Sequence, residues 1–153
     1  LSVCPVRDSN GFIMEISGER LPEELKRCWA FGACDGADDP AVTDNSIPAA
    51  SCFHNVFSIE GNAFTTYYGE SMKLRTVHGV SPIGSDIRLS DGHKQASPLA
   101  LFNSGKKTDA PVISALYPWK PQEKLYFCFY QRADYNYFML PGLFEKEHKT
   151  RSK

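Results

Sequence analysis

The chain has 153 residues, of which 42% are hydrophobic and 23% charged, a balance typical of one folded domain and not of a disordered segment. Its net charge of -1 argues against a broad basic surface for nucleic acid, because phosphate binding needs clustered Lys and Arg. No apolar run approaches the roughly 18 to 20 residues of a membrane span, so no membrane partner is expected.

The start of the chain and its cysteines indicate a secreted protein. It opens with LSVCPVRD and no Met, as a mature chain whose leader has been removed would. None of the cysteines forms a C-x-x-C pair and no His lies at zinc-finger spacing, so we expect neither a metal nor a cofactor. Up to two disulfides and one free thiol are favoured; the alternative is a cytosolic protein with five reduced, buried cysteines. The cysteines are Cys4, Cys28, Cys34, Cys52 and Cys128.

The N-terminal third predicts one short strand and the one convincing helix. Phe12 to Ser17 alternates between two turns, which is typical of a strand. In LPEELKRCWAFGAC, Pro22 suits the first helical position, and apolar side chains recur at spacings of three and four. Those positions are Leu25, Cys28, Trp29 and Gly32. Residues 38–50 lack any periodicity and predict a loop.

From residue 51 onwards the patterns are those of strands. CFHNVFSI, NAFTTYYGE and MKLRTVH alternate, whereas LALF, PVISALY and KLYFCFYQ are apolar enough to be central strands. YNYFMLPG is a candidate last strand. One helix ahead of strands, without alternation of helix and strand, predicts an α+β fold in which an N-terminal helix packs on a central antiparallel sheet. We expect one domain over residues 1–144 and a charged flexible tail over 145–153.

Seven polar side chains between residues 54 and 93 are the candidates for chemistry. A histidine, a carboxylate and an arginine that converge on one sheet face would suit RNA cleavage through the 2′-hydroxyl. The alternative is that these side chains lie on the wet faces of strands. The candidates are His54, Glu60, Glu70, Arg75, His78, Arg88 and His93.

The segment CFHNVFSIEG resembles a strand of the small secreted fungal ribonucleases, which include guanyl-specific enzymes and ribotoxins such as alpha-sarcin. Their motif runs Tyr-Pro-His, then an aromatic residue, then an acidic-Gly turn. Here Phe53 and His54 take the Pro-His places, Phe57 approximates the aromatic residue, and Glu60 with Gly61 forms the turn. DAPVISALYPWKPQEKLYFCFYQRAD is similar to the last strand pair of that family. The resemblance implies a microbial ribonuclease-like fold.

In this alignment most of the family's catalytic residues are missing. Pro111 occupies the place of the phosphate-binding arginine, the acid histidine falls near Arg132, and the catalytic glutamate falls at residues 99–101. Only His54 remains, as a vestige. The chain is thus similar to the inactive ribonuclease-like effectors of plant-pathogenic fungi, which implies a secreted virulence protein. Such proteins are delivered into host cells, where they bind a host protein, such as an immune receptor, or RNA.

Two alternatives remain open. A rival alignment makes Glu70 the base and Arg88 the arginine, which gives an active, metal-free endoribonuclease that uses His54 with Glu70 and either Arg88 or Arg75. A secreted, lipocalin-like ligand carrier is the other alternative. It requires a closed barrel with an apolar cavity.

The resemblance also bears on the cysteines and on the aromatic residues near the C-terminus. Because the family's N-terminal cysteine pairs with one near the C-terminus, a Cys4–Cys128 disulfide is expected. YPWKPQEKLYFCFYQRADYNYF interleaves rings with cations that could stack bases, although two core strands would give the same pattern. Any exposed rings, such as Trp119, Tyr135 and Tyr137, would suit a protein interface.

Overall fold

The structure, a computed structural model, describes residues 1–20, 22, 24–32, 46–67, 76–105 and 107–151. Its strands are β1 (Ser2–Val6), β2 (Gly11–Ile16), β3 (Lys26–Phe31), β4 (Val56–Glu60), β5 (Ala63–Tyr67), β6 (Thr76–Val80), β7 (Asp86–Asp91), β8 (Pro111–Pro118) and β9 (Leu125–Tyr130). Its helices are α1 (Pro98–Phe102) and α2 (Leu140–Arg151). Short 3₁₀ turns lie at Arg7–Ser9, Ala49–Cys52 and Tyr137–Met139.

The strands form two antiparallel sheets that pack face to face. The large sheet has the order β1-β2-β9-β6-β5-β4, and the small sheet has the order β3-β8-β7. Aromatic rings join the sheets: the Trp29 ring lies 6.0 Å from that of Phe127, and the Phe31 ring lies 5.2 Å from that of Phe129. We call the face of the large sheet that meets the small sheet its inner face, and the opposite face its outer face.

Helices cover the two outward-facing surfaces of this sandwich. Helix α2 lies on the outer face over β1, β2 and β9, where Leu140 and Phe144 are buried. Helix α1 covers the small sheet, where Leu101 packs with Val112. Since both faces of β8 and β9 are then buried, the prediction that PVISALY and KLYFCFYQ are central strands is confirmed. The same prediction for LALF is wrong, because this segment forms helix α1.

The predicted N-terminal helix is wrong, and with it the α+β, ribonuclease-like fold class. The segment around Trp29 forms strand β3, and the described helices are the five-residue α1 and the C-terminal α2. Arg27, Trp29 and Phe31 alternate toward the inner face with a period of two. The free energy gained by packing these side chains against the large sheet exceeds the preference for a helix that the local spacing indicates. The fold is mainly β: two antiparallel sheets and a C-terminal helix.

The predicted disulfides are also contradicted. Cys4, Cys28, Cys52 and Cys128 form no disulfide with one another, and Cys34 lies outside the described residues. In the large sheet Cys4 pairs with Ile13, and Ile13 pairs with Cys128. The two cysteines are therefore two strand spacings apart, roughly 10 Å, beyond the ~7 Å limit for Cα atoms in a disulfide. The disulfide argument for secretion has no support in these residues.

The C-terminal segment is more ordered than the sequence analysis predicts. Residues 137–139 form a 3₁₀ turn where a last strand is expected, and residues 145–151 continue α2 where a flexible tail is expected. Leu140, Phe144 and Glu147 recur at spacings of four and three, and all three are buried. Residues 152–153 lie outside the described part of the chain.

The lipocalin-like alternative does not fit the described strands, because they form two open sheets where a carrier of that kind needs one closed barrel. Within the described part of the chain, neither helix is long and apolar enough to cross a membrane.

Candidate functional site

The residues predicted for RNA cleavage do not assemble in the described structure. His54 lies in an exposed turn that leads into β4 of the large sheet, whereas Arg88 lies on β7 of the small sheet. The Arg88 guanidinium binds the Asp86 carboxylate at 2.6 Å and lies 4.3 Å from the centre of the Phe102 ring. Glu70 and Arg75 lie outside the described residues. The catalytic set of the rival alignment therefore has no geometric support.

The aromatic residues predicted for binding are mostly packed into the protein. Trp119 is only 6% exposed, and its indole N–H donates to the carbonyl oxygen of Glu123 at 3.1 Å. Tyr135 and Tyr137 are half-buried, and the Tyr135 ring meets the Tyr130 ring edge-on at 4.9 Å. The most exposed ring nearby is that of Phe138, at 82%. Trp119 is therefore a core residue rather than a surface anchor.

A different group of side chains assembles on the outer face of the large sheet, beside the part that α2 covers. It lines a depression of about 240 Å³ over β4, β5, β6 and β9. Because side chains alternate along a strand, every second residue of these strands points into it. We call this surface the polar face; its principal side chains are Ser58, Glu60, Thr65, Tyr67, His78, Tyr130, Asp134 and Tyr135.

The strand register sets the geometry of the polar face. Ser58 pairs with Thr65, Thr65 with His78, and His78 with Tyr130, which gives one row across four strands. At roughly 4.8 Å per strand spacing, this row spans about 14 Å. Glu60 lies two residues along β4 from Ser58, at one end of the depression.

His78 is held in place from two sides. Its Nδ1 lies 3.0 Å from the hydroxyl oxygen of Thr65, and its ring stacks on Tyr130 with centroids 5.3 Å apart. The Tyr130 hydroxyl donates to the carbonyl oxygen of Tyr135 and accepts from its backbone N–H, both at 3.3 Å. The centre of the polar face is thus a fixed platform of rings and hydroxyls rather than a set of free side chains.

The charge of the polar face is acidic. Among the described residues that line it, Glu60 and Asp134 carry carboxylates, His78 an imidazole, and none is a Lys or an Arg. Burial raises the pKa of Tyr130, so its hydroxyl keeps its proton at neutral pH. The described residues contain no group of three His, Cys, Asp or Glu side chains that could hold a metal ion. This arrangement suits hydrogen bonds to uncharged hydroxyl groups and disfavours polyanions.

Sequence reasoning identifies two members of this site, although not their association. Glu60 and His78 are both among the seven polar candidates, and the structure brings them to one depression while His54 and Arg88 lie elsewhere. The other members of the site, such as Thr65 and Tyr130, are marked in the sequence only by the period-two alternation of a strand. That signal marks a face of one strand, and it does not say which strands are neighbours.

Comparisons with known proteins give a family but no activity. A family model described as a domain of unknown function, DUF4450, matches residues 1–148. No curated protein matches the chain.

Proposed function

The chain belongs to DUF4450, a family of domains of unknown function, so its role has to be inferred from the site, and we propose a non-catalytic binding domain for a neutral, polyhydroxylated ligand of the carbohydrate class. The observation that carries this proposal is the polar face, where carboxylates, an imidazole, hydroxyls and tyrosine rings line one open depression without a Lys or an Arg among its described members.

The side chains of the polar face match the chemistry of a sugar. Glu60 and Asp134 accept hydrogen bonds only, and a carboxylate can accept from two neighbouring hydroxyls at once. Thr65 and His78 offer donors and acceptors for further hydroxyls. The rings of Tyr67 and Tyr135 supply apolar surface for the C–H groups of a sugar ring. A hydroxyl-rich, uncharged molecule can satisfy all of these groups together.

The charge of the site argues against the polyanionic ligands. RNA or a nucleotide would place phosphates beside Glu60 and Asp134, and like charges repel. A host protein or RNA as partner, predicted from the ribonuclease resemblance, stays a prediction, and it now lacks the fold that motivated it. Binding of a neutral ligand on an open sheet needs neither that fold nor secretion into a host cell.

The exposure of the carboxylates favours binding over catalysis. Glu60 and Asp134 are both exposed, so neither lies in the dry, closed surroundings in which proton-transfer groups commonly act. His78 is engaged with Thr65 and Tyr130 on the floor of the depression. These contacts support a domain that holds its ligand unchanged.

The test is to measure binding of the purified chain to a panel of immobilised neutral oligosaccharides, followed by calorimetry with any sugar that binds. Glu60→Gln and His78→Ala should each weaken binding by about tenfold, because the first replaces a charged acceptor oxygen with an amide donor and the second removes the imidazole from the contact. His93→Ala is the matched control, since His93 is an exposed histidine paired with Asp109 at 2.7 Å, outside the polar face. It should bind like the wild type.

Two results would overturn the proposal. The first is the absence of any binding sugar, or binding that neither Glu60→Gln nor His78→Ala weakens. The second is cleavage of the bound sugar that disappears with Glu60→Gln, which would make the domain an enzyme.

A further inference from the structure

A second cavity lies on the other side of the large sheet, at the open edge of the sandwich. It has a volume of about 440 Å³ and lies between the inner face of β2 and β9 and strand β3 of the small sheet. We call it the edge cleft. Its principal lining side chains are Met14, Ile16, Arg27, Trp29, Phe127 and Phe129.

Arg27 gives the edge cleft a charge on an otherwise apolar wall. Strand alternation points its side chain inward with Trp29 and Phe31, so this cation is half-buried between the sheets. Its guanidinium carbon lies 3.9 Å from the centre of the Trp119 ring. Burial lowers the pKa of Arg27, although an arginine keeps its charge at neutral pH.

Arg27 is half-buried yet has no counter-ion among the described residues. Arg7, Arg88 and Lys124 each approach a carboxylate within 4 Å. In the part of the chain that the structure describes, Arg27 makes neither an ion pair nor a hydrogen bond. Partly burying a charge without an opposite charge is costly, and the five N–H donors of this guanidinium are available to an anion that enters the edge cleft.

One further observation points to a ligand at the same place, and another shows how Arg27 is held there. The indole N–H of Trp29, which lines the edge cleft, is buried without a hydrogen-bond acceptor among the described residues. Trp119 is a rigid platform under Arg27, because its indole N–H donates to Glu123 and its backbone N–H donates to Leu25 at 3.0 Å. The guanidinium is therefore held at the cleft by stacking, with its hydrogen-bonding edges unused.

We propose that the edge cleft binds an apolar carboxylic acid, with its carboxylate on Arg27 and its hydrocarbon body against Met14, Ile16 and the phenylalanine rings. One guanidinium balances one carboxylate, and its planar fork pairs both oxygens at once. A cavity of this size falls within the range of small-ligand sites, and the apolar walls suit a chain or ring without further polar groups. This site is independent of the polar face, so neither proposal depends on the other.

The experiment uses decanoate as the probe and tryptophan fluorescence as the readout. The chain has two tryptophans, Trp29 and Trp119, one lining the edge cleft and the other stacked on Arg27. At neutral pH and below its micelle concentration, decanoate should give a saturable change in emission. Decanol, which has the same chain without the charge, should bind about tenfold more weakly because it cannot form the charge-assisted pair.

Variants then assign the carboxylate to its partner. Arg27→Gln should weaken decanoate binding by about tenfold and bring it to the level of decanol. Arg88→Gln is the matched control, because it removes an exposed arginine elsewhere and should leave binding unchanged. No saturable change with decanoate, equal binding of decanoate and decanol, or equal loss in both variants would overturn the proposal. The comparison of the two probes on the wild type decides the question even if Arg27→Gln does not fold.

Discussion

Gly79 shows how a single residue without a side chain serves the core between the two sheets. It pairs with Phe64 on the inner face of the large sheet, and the Phe64 ring lies over it. A Cβ atom at position 79 would lie 2.1 Å from the tip of that ring. The ring in turn meets Trp29, Phe31 and Phe129, so it has little room to move.

Gly79→Ala should therefore lower the free energy of unfolding by about 1–3 kcal/mol, the usual cost of overpacking a core. Urea denaturation followed by circular dichroism measures it. Gly142→Ala is the matched control: the same change in helix α2 meets no atom within 4 Å, and it should raise stability by up to ~1 kcal/mol through helix propensity. An unchanged midpoint for Gly79→Ala would mean that the Phe64 ring is not fixed over this position.

At the residue scale, the sequence indicates which side chains have suitable chemistry better than it indicates which of them lie close together in space. Glu60 and His78 were selected as polar candidates, and both line the polar face. The other described candidates, His54 and Arg88, lie elsewhere for a physical reason. Neighbours across a sheet are set by which strands pair and in which register, and that depends on the whole chain.

Helix α2 packs one stripe of side chains on the large sheet, although the sequence predicts a strand and a flexible tail over this segment. Pro141 suits its first turn, and Leu140, Phe144 and Glu147 form one buried stripe against the outer face. The Phe144 ring packs on Tyr126 at 5.9 Å and is 6% exposed. Phe138, just before the helix, is 82% exposed. The same residue type thus occurs in two contrasting environments a few positions apart.

Phe144→Ala should destabilise the protein by about 3–5 kcal/mol, because it leaves a cavity under the helix. Phe138→Ala should stay within about 0.5 kcal/mol of the wild type, as exposed substitutions usually do. Thermal and urea unfolding of both variants give the comparison. Equal effects of the two substitutions would show that α2 does not rest on the large sheet as described.

At the element scale, β3 shows why a local pattern can mislead. Pro22 and the spacing of Leu25, Cys28 and Trp29 satisfy the rules for a helix start and a buried helical face. The same letters also place Arg27, Trp29 and Phe31 on one face of a strand. A short segment fits both periods, and the choice is made by the rings of a sheet that is distant in sequence.

The molecule as a whole buries several groups that ionise only in alkali. Burial raises the pKa of the Cys128 thiol to about 12 and raises the pKa values of four tyrosines. Each of these groups becomes an anion on losing its proton, so the unfolded chain ionises first as the pH rises. The tyrosines are Tyr117, Tyr126, Tyr130 and Tyr137.

The contribution of these groups to stability is fully present below their unfolded pKa values and is lost as the pH rises toward their folded ones. The free energy of unfolding should therefore begin to fall above the ordinary thiol pKa of about 8.5, and more steeply above that of tyrosine, about 10. Urea unfolding between neutral pH and about pH 11 measures this curve.

Cys128→Ala separates the thiol from the tyrosines. The variant should be less stable at every pH because it loses packing, yet its stability should fall less steeply than that of the wild type between about pH 8.5 and 10, where the remaining thiol with a raised pKa is that of Cys28. A decline from about pH 8.5 with the wild-type slope would contradict the assignment to Cys128.

At the scale of the whole molecule, composition and alternation predicted antiparallel strands, and β8 and β9 lie inside their sheets as expected. The division into two sheets was beyond the same reasoning. It depends on which apolar faces meet, such as Trp29 on Phe127, and these contacts join residues nearly a hundred positions apart. The predicted Cys4–Cys128 disulfide is wrong for a similar reason. Strand β2 lies between β1 and β9, and alternation within each strand does not reveal this order.

Even-numbered and odd-numbered residues of strand β9 contribute to different surfaces. Even-numbered Tyr130 belongs to the polar face, whereas odd-numbered Phe127 and Phe129 line the edge cleft. A substitution in β9 can therefore change one surface and leave the other intact, because successive side chains of a strand point to opposite faces of the sheet. A one-residue insertion or deletion in β9 would change both surfaces together, because it moves the side chains that follow it to the opposite face of the sheet. During evolution β9 can therefore accept substitutions, whereas a change in its length would disrupt both the polar face and the edge cleft.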